Sequence, residues 1–209
     1  MNKMKTVTVK IAMTIVVLMS TMVFASGAQA QTDLYKVKKE IQYAGKHFYV
    51  TCTNHRNVSS LYFIGNKTNT KVRKGAYRCK DGSWRSRDGL MQNPATLCSN
   101  YYVKLRKIAN AVFTKREINK FIEKGCVLDI WPVVDFNKRI SDMEFCFDDI
   151  SFASIPFSKY YRLGELIRAN LKFSMPKGYE EMLKNMNGGF YIVTMSINFG
   201  RLYNYVYPV

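Results

Sequence analysis

The segment VLDIWPVVDFNKRISDMEFCF, residues 127–147, decides how this chain folds. Its two ends, 127–136 and 140–147, are rich in β-branched and aromatic residues. Between them the polar pair Asn137-Lys138, with an Asn suited to a left-handed turn position, reads as a tight β-turn. A two-residue turn sets the register: Ile130 opposes Phe145, Leu128 opposes Phe147 and Val134 opposes Ser141. The apolar residues of both strands then fall on one face. The same register puts Cys126 on the core face and Cys146 on the other, so these two are not expected to be bridged to each other.

Downstream, FSKYYRLGELIRAN (157–170) predicts a helix, with Pro156 at its start and Tyr160, Leu163, Leu166 and Ile167 on one side. Residues 171–173 read as extended and 179–186 as a further helical turn or two, ended by Asn187-Gly188-Gly189. The last strand, FYIVTMSINF (190–199), alternates: Tyr191, Val193, Met195, Ile197 and Phe199 point one way, Thr194, Ser196 and Asn198 the other. Residues 202–207 form another strand or a tail. Upstream, Thr114 and Glu117 have the spacing of a capping box; the helix they open buries Ile118, Phe121 and Ile122 and stops at Gly125. Further back, HFYVTCT (47–53) and SLYFI (60–64), closed by Gly65-Asn66, read as a hairpin or meander. The fold class that follows is α+β, a mixed but mostly antiparallel sheet with one or two helices on one face.

At the N-terminus, Lys3, Lys5 and Lys10 precede fifteen uncharged residues, 11–25, and then Ala28-Gln29-Ala30. That order of basic, apolar and small residues is a secretory signal peptide, and the apolar run falls short of the roughly 20 residues of a membrane-spanning helix. The expectation is export with cleavage after Ala30, no spanning segment in the mature chain, and three parts: signal peptide 1–30, a basic strand-rich segment 31–125, and a β-β-α-β module 126–209.

Charge separates the last two parts. Residues 31–125 hold 20 Lys and Arg against 6 Asp and Glu, a net of +14, whereas residues 126–209 hold 9 of each. The basic residues are densest between Lys67 and Arg87, and Lys71, Arg73, Lys74, Arg78, Lys80, Arg85 and Arg87, with Tyr77 and Trp84 interleaved, form a candidate polyanion site. Export argues against nucleic acid as the partner and leaves anionic lipid surfaces, acidic polysaccharides and wall polymers. The five cysteines, an odd number, allow fifteen ways of making two bridges, and buried thiols are an equal alternative. No zinc or redox spacing is present and His47 and His55 are the only imidazoles, so neither a metal nor a cofactor is expected.

Catalysis has two weak candidates, a thiol nucleophile at Cys52 with His47 or His55 as base, and a carboxylate pair at Asp148-Asp149. Cys52 sits in a strand pattern where a buried thiol is the commoner occupant, and adjacent strand residues point to opposite faces. The reading is therefore a noncatalytic protein.

The order strand, tight turn, strand, helix, strand over residues 127–199 resembles the C-terminal domain of TonB-type energy transducers. Val134-Asp135-Phe136-Asn137-Lys138-Arg139-Ile140-Ser141-Asp142-Met143 stands where that family has V-D-x-D-G-K-V-S-D-V, with Lys138 in place of the turn glycine. Phe173 and Pro176 loosely match its tryptophan and proline after the helix, and Ile197-Asn198-Phe199 its closing I-x-F. The combination also resembles secreted proteins of unknown function in Gram-negative envelopes. The resemblance implies an envelope module that binds an extended peptide or another envelope protein by strand addition, and points to the final strand, with Thr194, Ser196 and Asn198, as the edge. A TonB transducer needs an uncleaved anchor, so the cleavage site matters. N-terminal sequencing of the exported protein should begin at Gln31; a chain still starting at Met1 and held in the membrane would restore the transducer reading.

Overall fold

A computed structural model describes residues 40–53, 61–67, 71–72, 74–148, 152 and 154–204 of the 209. Residues 1–30, read above as a signal peptide, lie outside them, as do Arg73, His55 and Asp149. In chain order the strands and helices are β1 (Glu40–Tyr43), β2 (Lys46–Thr53), β3 (Leu61–Asn66), β4 (Ala76–Arg78), β5 (Trp84–Ser86), β6 (Met91–Gln92), α1 (Pro94–Leu97), α2 (Tyr101–Val112), α3 (Lys115–Glu123), β7 (Val127–Asp135), β8 (Ile140–Asp148), α4 (Phe157–Asn170), α5 (Tyr179–Asn185), β9 (Phe190–Val193), β10 (Met195–Asn198) and α6 (Phe199–Asn204). The class is α+β. One sheet runs β1-β2-β3-β8-β7-β9-β6, with β10 also on β7, and every pairing in it is antiparallel except the short β6–β9. Strands from the basic and the neutral parts of the chain thus lie in the same sheet.

The hairpin register holds along most of its length: Ile130 pairs with Phe145 and Val133 with Asp142. Pairing then shifts, so that Val134 opposes Ile140 rather than Ser141. Ser141 is the extra residue of a β-bulge, its hydroxyl donating to the Val133 carbonyl at 3.3 Å. The shift follows from the turn, which is longer than two residues. Asp135 N–H donates to Arg139 O, and Lys138 N–H donates back to Asp135 O, each at 2.9 Å, around a three-residue loop. The left-handed position is Lys138, at φ 62°, not Asn137.

Across the sheet, one row of partners reads Val50–Ile64–Phe145–Ile130–Met195, all buried. On this face lie the helices. Tyr160 of α4 stacks on Phe147 with ring centroids 4.9 Å apart, and its hydroxyl donates to the Phe152 carbonyl at 2.8 Å. Near the other end Phe113, Phe121 and Phe199 meet edge-on or tilted, joining α3 to α6. The capping box at Thr114 and Glu117 forms in both directions. Partial burial works against the Glu117 carboxylate, but hydrogen bonds from Lys159, at 2.6 Å to Oε1, and from Thr114 hold its pKa below the usual range. One carboxylate therefore caps α3 and ties it to α4.

Three elements depart from the reading of the sequence. Residues 101–112 form α2, with Tyr101, Leu105, Ile108, Ala109 and Val112 buried at helical spacing. The run 190–199 divides at Thr194 into β9 and β10, and Phe199 begins a helix instead of ending the strand. The sheet face opposite the helices is not a solvent face at β8, where Asp142, Glu144 and Cys146 are buried too.

Lys138 occupies a backbone conformation that costs a residue with a Cβ about 1 kcal/mol and costs glycine little. Lys138→Gly should therefore raise stability by about 0.5–1 kcal/mol, read as a higher denaturant midpoint with an unchanged slope; a loss of stability would show that the lysine side chain holds the turn.

Candidate functional site

The final strand meets different neighbours along its two halves. On its inner side β9 pairs with Val133–Asp135 and β10 with Val127–Ile130, both on β7. On the outer side β6 covers β9: Met91 pairs with Ile192 and Gln92 with Val193, and Thr194 N–H donates to the Gln92 carbonyl at 3.0 Å. Then the covering strand leaves. Asn93 caps α1 by accepting from Ala95 N–H at 2.9 Å, and Pro94, which has no N–H to offer a ladder, is the first helical residue. Among the described residues no strand lies outside β10.

Hydrogen-bond alternation says which groups face that open side. Phe199 N–H donates inward to Cys126 O at 3.4 Å, and Thr194 N–H donates outward. In an antiparallel ladder successive residues alternate, so Met195 and Ile197 bond β7 while the N–H and C=O of Ser196 and the N–H of Asn198 point out, the Asn198 carbonyl serving as the first acceptor of α6. Their side chains have local partners. Ser196 Oγ donates to Asp129 on the strand opposite, and Asn198 Oδ1 accepts from Arg201 N–H at 2.9 Å, capping α6. Beside this edge is a groove of about 360 Å³ bordered by Thr194, Ser196 and Asn198 and by Tyr101, Tyr102 and Arg201. All three strand-edge residues named from the sequence border it. The tyrosines and Arg201 were missed because they come from α2, whose helical spacing was in the sequence and went unread, and from α6, which was read as strand or tail.

The basic residues do not gather into one patch. Lys71 Nζ sits 4.9 Å from the centre of the Phe190 ring, Lys80 Nζ donates to the Lys184 carbonyl at 2.7 Å, and Arg87 pairs with Asp88 at 3.4 Å. On the β4–β5 hairpin Arg78 is paired with Trp84 and Arg85 with Tyr77, so the two arginines lie on opposite faces. Tyr77 turns inward against Phe190, whereas Trp84 is 66 % exposed. Lys74, Arg78, Lys80, Trp84 and Arg85 are exposed, whereas Lys71 and Arg87 are half-buried.

Of the catalytic candidates, only Cys52 with His47 falls wholly within the described residues, and it does not assemble; His55 and Asp149 lie outside them. Cys52 is exposed, against the expectation of a buried thiol. His47 is five residues away on the same strand, about 17 Å along it and on the other face. Asp148 shares its face of the sheet with Cys146, Glu144 and Asp129; burial first, and then the charges of Asp129, Glu144 and Asp148, push the Cys146 thiol up to about 12. A thiol so held is protonated and inert. No group of three metal-ligating side chains occurs among the described residues.

Glu144 is the most unusual member of this row. It pairs with Gly65 on β3 and Trp131 on β7. Tyr49 lies across Gly65 so closely that a Cβ there would meet the tyrosine hydroxyl at 2.5 Å, so any side chain at that position would displace the tyrosine ring. Glu144 is 5 % exposed and its Oε2 has no hydrogen-bond partner. Burial pushes its pKa up to about 7.

No family model matches the chain, and no curated protein matches it. Among solved structures it is similar to a DUF5043 family protein from Bacteroides uniformis, with a TM-score of 0.54 and 16 % identity, over 79 % of this chain and 93 % of that one. At that identity the likeness shows the fold and nothing finer.

The raised pKa of Glu144 fixes the sign of a pH dependence. Its folded value, about 7, exceeds the unfolded value near 4.3, so between the two the native state holds a proton that the unfolded state gives up. The stability from this group is complete below about pH 4 and is lost as pH rises through about 7, by on the order of 3 kcal/mol. Glu144→Gln should remove that decline and stabilise the protein at pH 8, as measured by urea unfolding from pH 5 to 8; an unchanged pH profile would show that Glu144 titrates normally.

Proposed function

We propose that this chain is an exported, noncatalytic envelope protein that binds an extended peptide by strand addition along the outer edge of β10. The observation that carries the reading is the outward row of Ser196 and Asn198 backbone groups, continuing where β6 turns away at Asn93-Pro94. The likeness of 127–199 to the TonB C-terminal domain, where receptor peptides pair with the sheet edge, supports it.

Magnitudes set the class of partner. Ser196 N–H and C=O and Asn198 N–H offer up to three backbone hydrogen bonds, each about 1 kcal/mol net, so the edge alone gives roughly 3 kcal/mol, a contact weaker than millimolar. A leucine- or phenylalanine-sized side chain placed in the adjoining groove adds about 2 kcal/mol. The sum, roughly 5 kcal/mol, corresponds to a dissociation constant of a few hundred micromolar. The partner is thus an extended segment with one large apolar side chain, bound reversibly. A second reading, attachment to an anionic envelope polymer or lipid surface, is favoured by Trp84 standing exposed beside Arg78.

Ser196→Pro separates the two. It removes an outward N–H without taking a bond from the β7 ladder, as proline is tolerated on an edge. Peptides selected from a random array against the unaltered protein should bind Ser196→Pro at least about tenfold more weakly and Ser196→Ala unchanged, by calorimetry, with little dependence on salt. Equal binding to Ser196→Pro, or binding that collapses as salt rises, would sink the strand-addition reading and favour the basic hairpin.

A further inference from the structure

A second site lies away from the β10 edge, between α4 and the β2–β3–β8 end of the sheet, and stands independently of the peptide-binding reading. A cavity of about 130 Å³ is enclosed there by Phe48, Ile64, Met143, Phe145, Tyr160 and Tyr161. Its roof is a turn of α4. Tyr160, Gly164 and Arg168 follow one another at four-residue spacing on the buried face of that helix, so the glycine stands where an apolar side chain would ordinarily fill the space.

Glycine is the poorest helix former after proline, and its presence in a helix interior asks for a reason. Close packing does not supply one. A Cβ at Gly164 would lie 3.5 Å from Phe145 Cζ, 3.6 Å from Met143 Sδ and 3.7 Å from the Arg168 guanidinium, all ordinary contacts. What the missing side chain does is leave the cavity open.

The walls and the mouth differ in chemistry. Rings make the walls: Phe48 and Tyr161 meet edge-on with centres 6.2 Å apart, and Phe145 and Tyr160 are tilted against each other at 5.8 Å. The volume is close to the roughly 150 Å³ that holds benzene in an apolar protein cavity. Cations flank the mouth. Lys46 Nζ lies 5.5 Å from the centre of the Tyr161 ring, and Arg168, paired with Glu165 at 2.7 Å, borders the cavity at Gly164. Asp142 also borders it, but by register its side chain starts on the opposite face of the sheet, with Glu144 and Cys146.

We propose that this cavity binds a small aromatic carboxylate, its single ring among Phe48, Phe145 and Tyr160 and its carboxylate held by Arg168 and Lys46. Arg168 is the specificity-determining residue, because a guanidinium offers a carboxylate two parallel hydrogen bonds.

Benzoate and its neutral counterpart benzyl alcohol are the probes, titrated into the purified protein with ligand-observed NMR. Saturable benzoate binding is expected, about tenfold tighter than benzyl alcohol, and weakened about tenfold by Arg168→Gln. Gly164→Ala should leave the melting temperature equal or higher while weakening benzoate severalfold. The proposal is overturned by the absence of saturable benzoate binding, by equal binding of the alcohol, or by full affinity in Gly164→Ala. Should Arg168→Gln fail to fold, the comparison of the two probes on the unaltered protein decides the role of charge.

Discussion

Ile130 against Phe145 is the pairing on which the rest of the sheet is registered. From it the row extends through Ile64 to Val50 on one side and to Met195 on the other, five strands contributing one buried residue each. A slip of one residue at β7–β8 would turn every one of these side chains to the opposite face, and with them the seat of Tyr160 on Phe147 that docks α4. The tolerance of Lys138 for a left-handed backbone follows from this. Burying a row of large apolar side chains outweighs about 1 kcal/mol of turn strain many times over.

That register also imposes the polar features. Residues alternate, so placing Met143, Phe145 and Phe147 toward the helices commits Asp142, Glu144 and Cys146 to the other side. There the basic part of the chain comes back over the sheet, with Tyr77 and Lys71 on Phe190. Further along the same face Glu144 is buried between Gly65, with Tyr49 lying across it, and Trp131, and that burial raises its pKa. Coverage stops at the edge for a local reason: Asn93 and Pro94 cannot prolong β6 and begin a helix instead, so the neighbouring half of the last strand keeps outward backbone groups.

Much of this was legible in the residues. The capping box at Thr114 and the span of α4 are set by contacts within a few positions, and both formed where their spacing placed them. The pairing of Ile130 with Phe145 followed from apolar alternation and a short turn. The bulge at Ser141 did not, because a three-residue and a two-residue loop look alike in a stretch whose left-handed residue is a lysine. Helix α2 had readable spacing at Tyr101, Leu105, Ile108 and Val112, and went unread beneath the strand signals before it. β6 was beyond reach: two residues carry no period, and they are a strand only because β9 is beside them.

From composition and order alone came the mixed class, the separation of a basic from a neutral half, the main hairpin and the final strand with Thr194, Ser196 and Asn198 on one side. These rest on local interactions and on alternation, which a linear sequence records. Which part of that strand is an edge, which carboxylate is stripped of water and where a glycine leaves room under a helix were settled only by folding. Each depends on what a residue far along the chain covers or fails to cover, and burial of that kind has no period in the sequence.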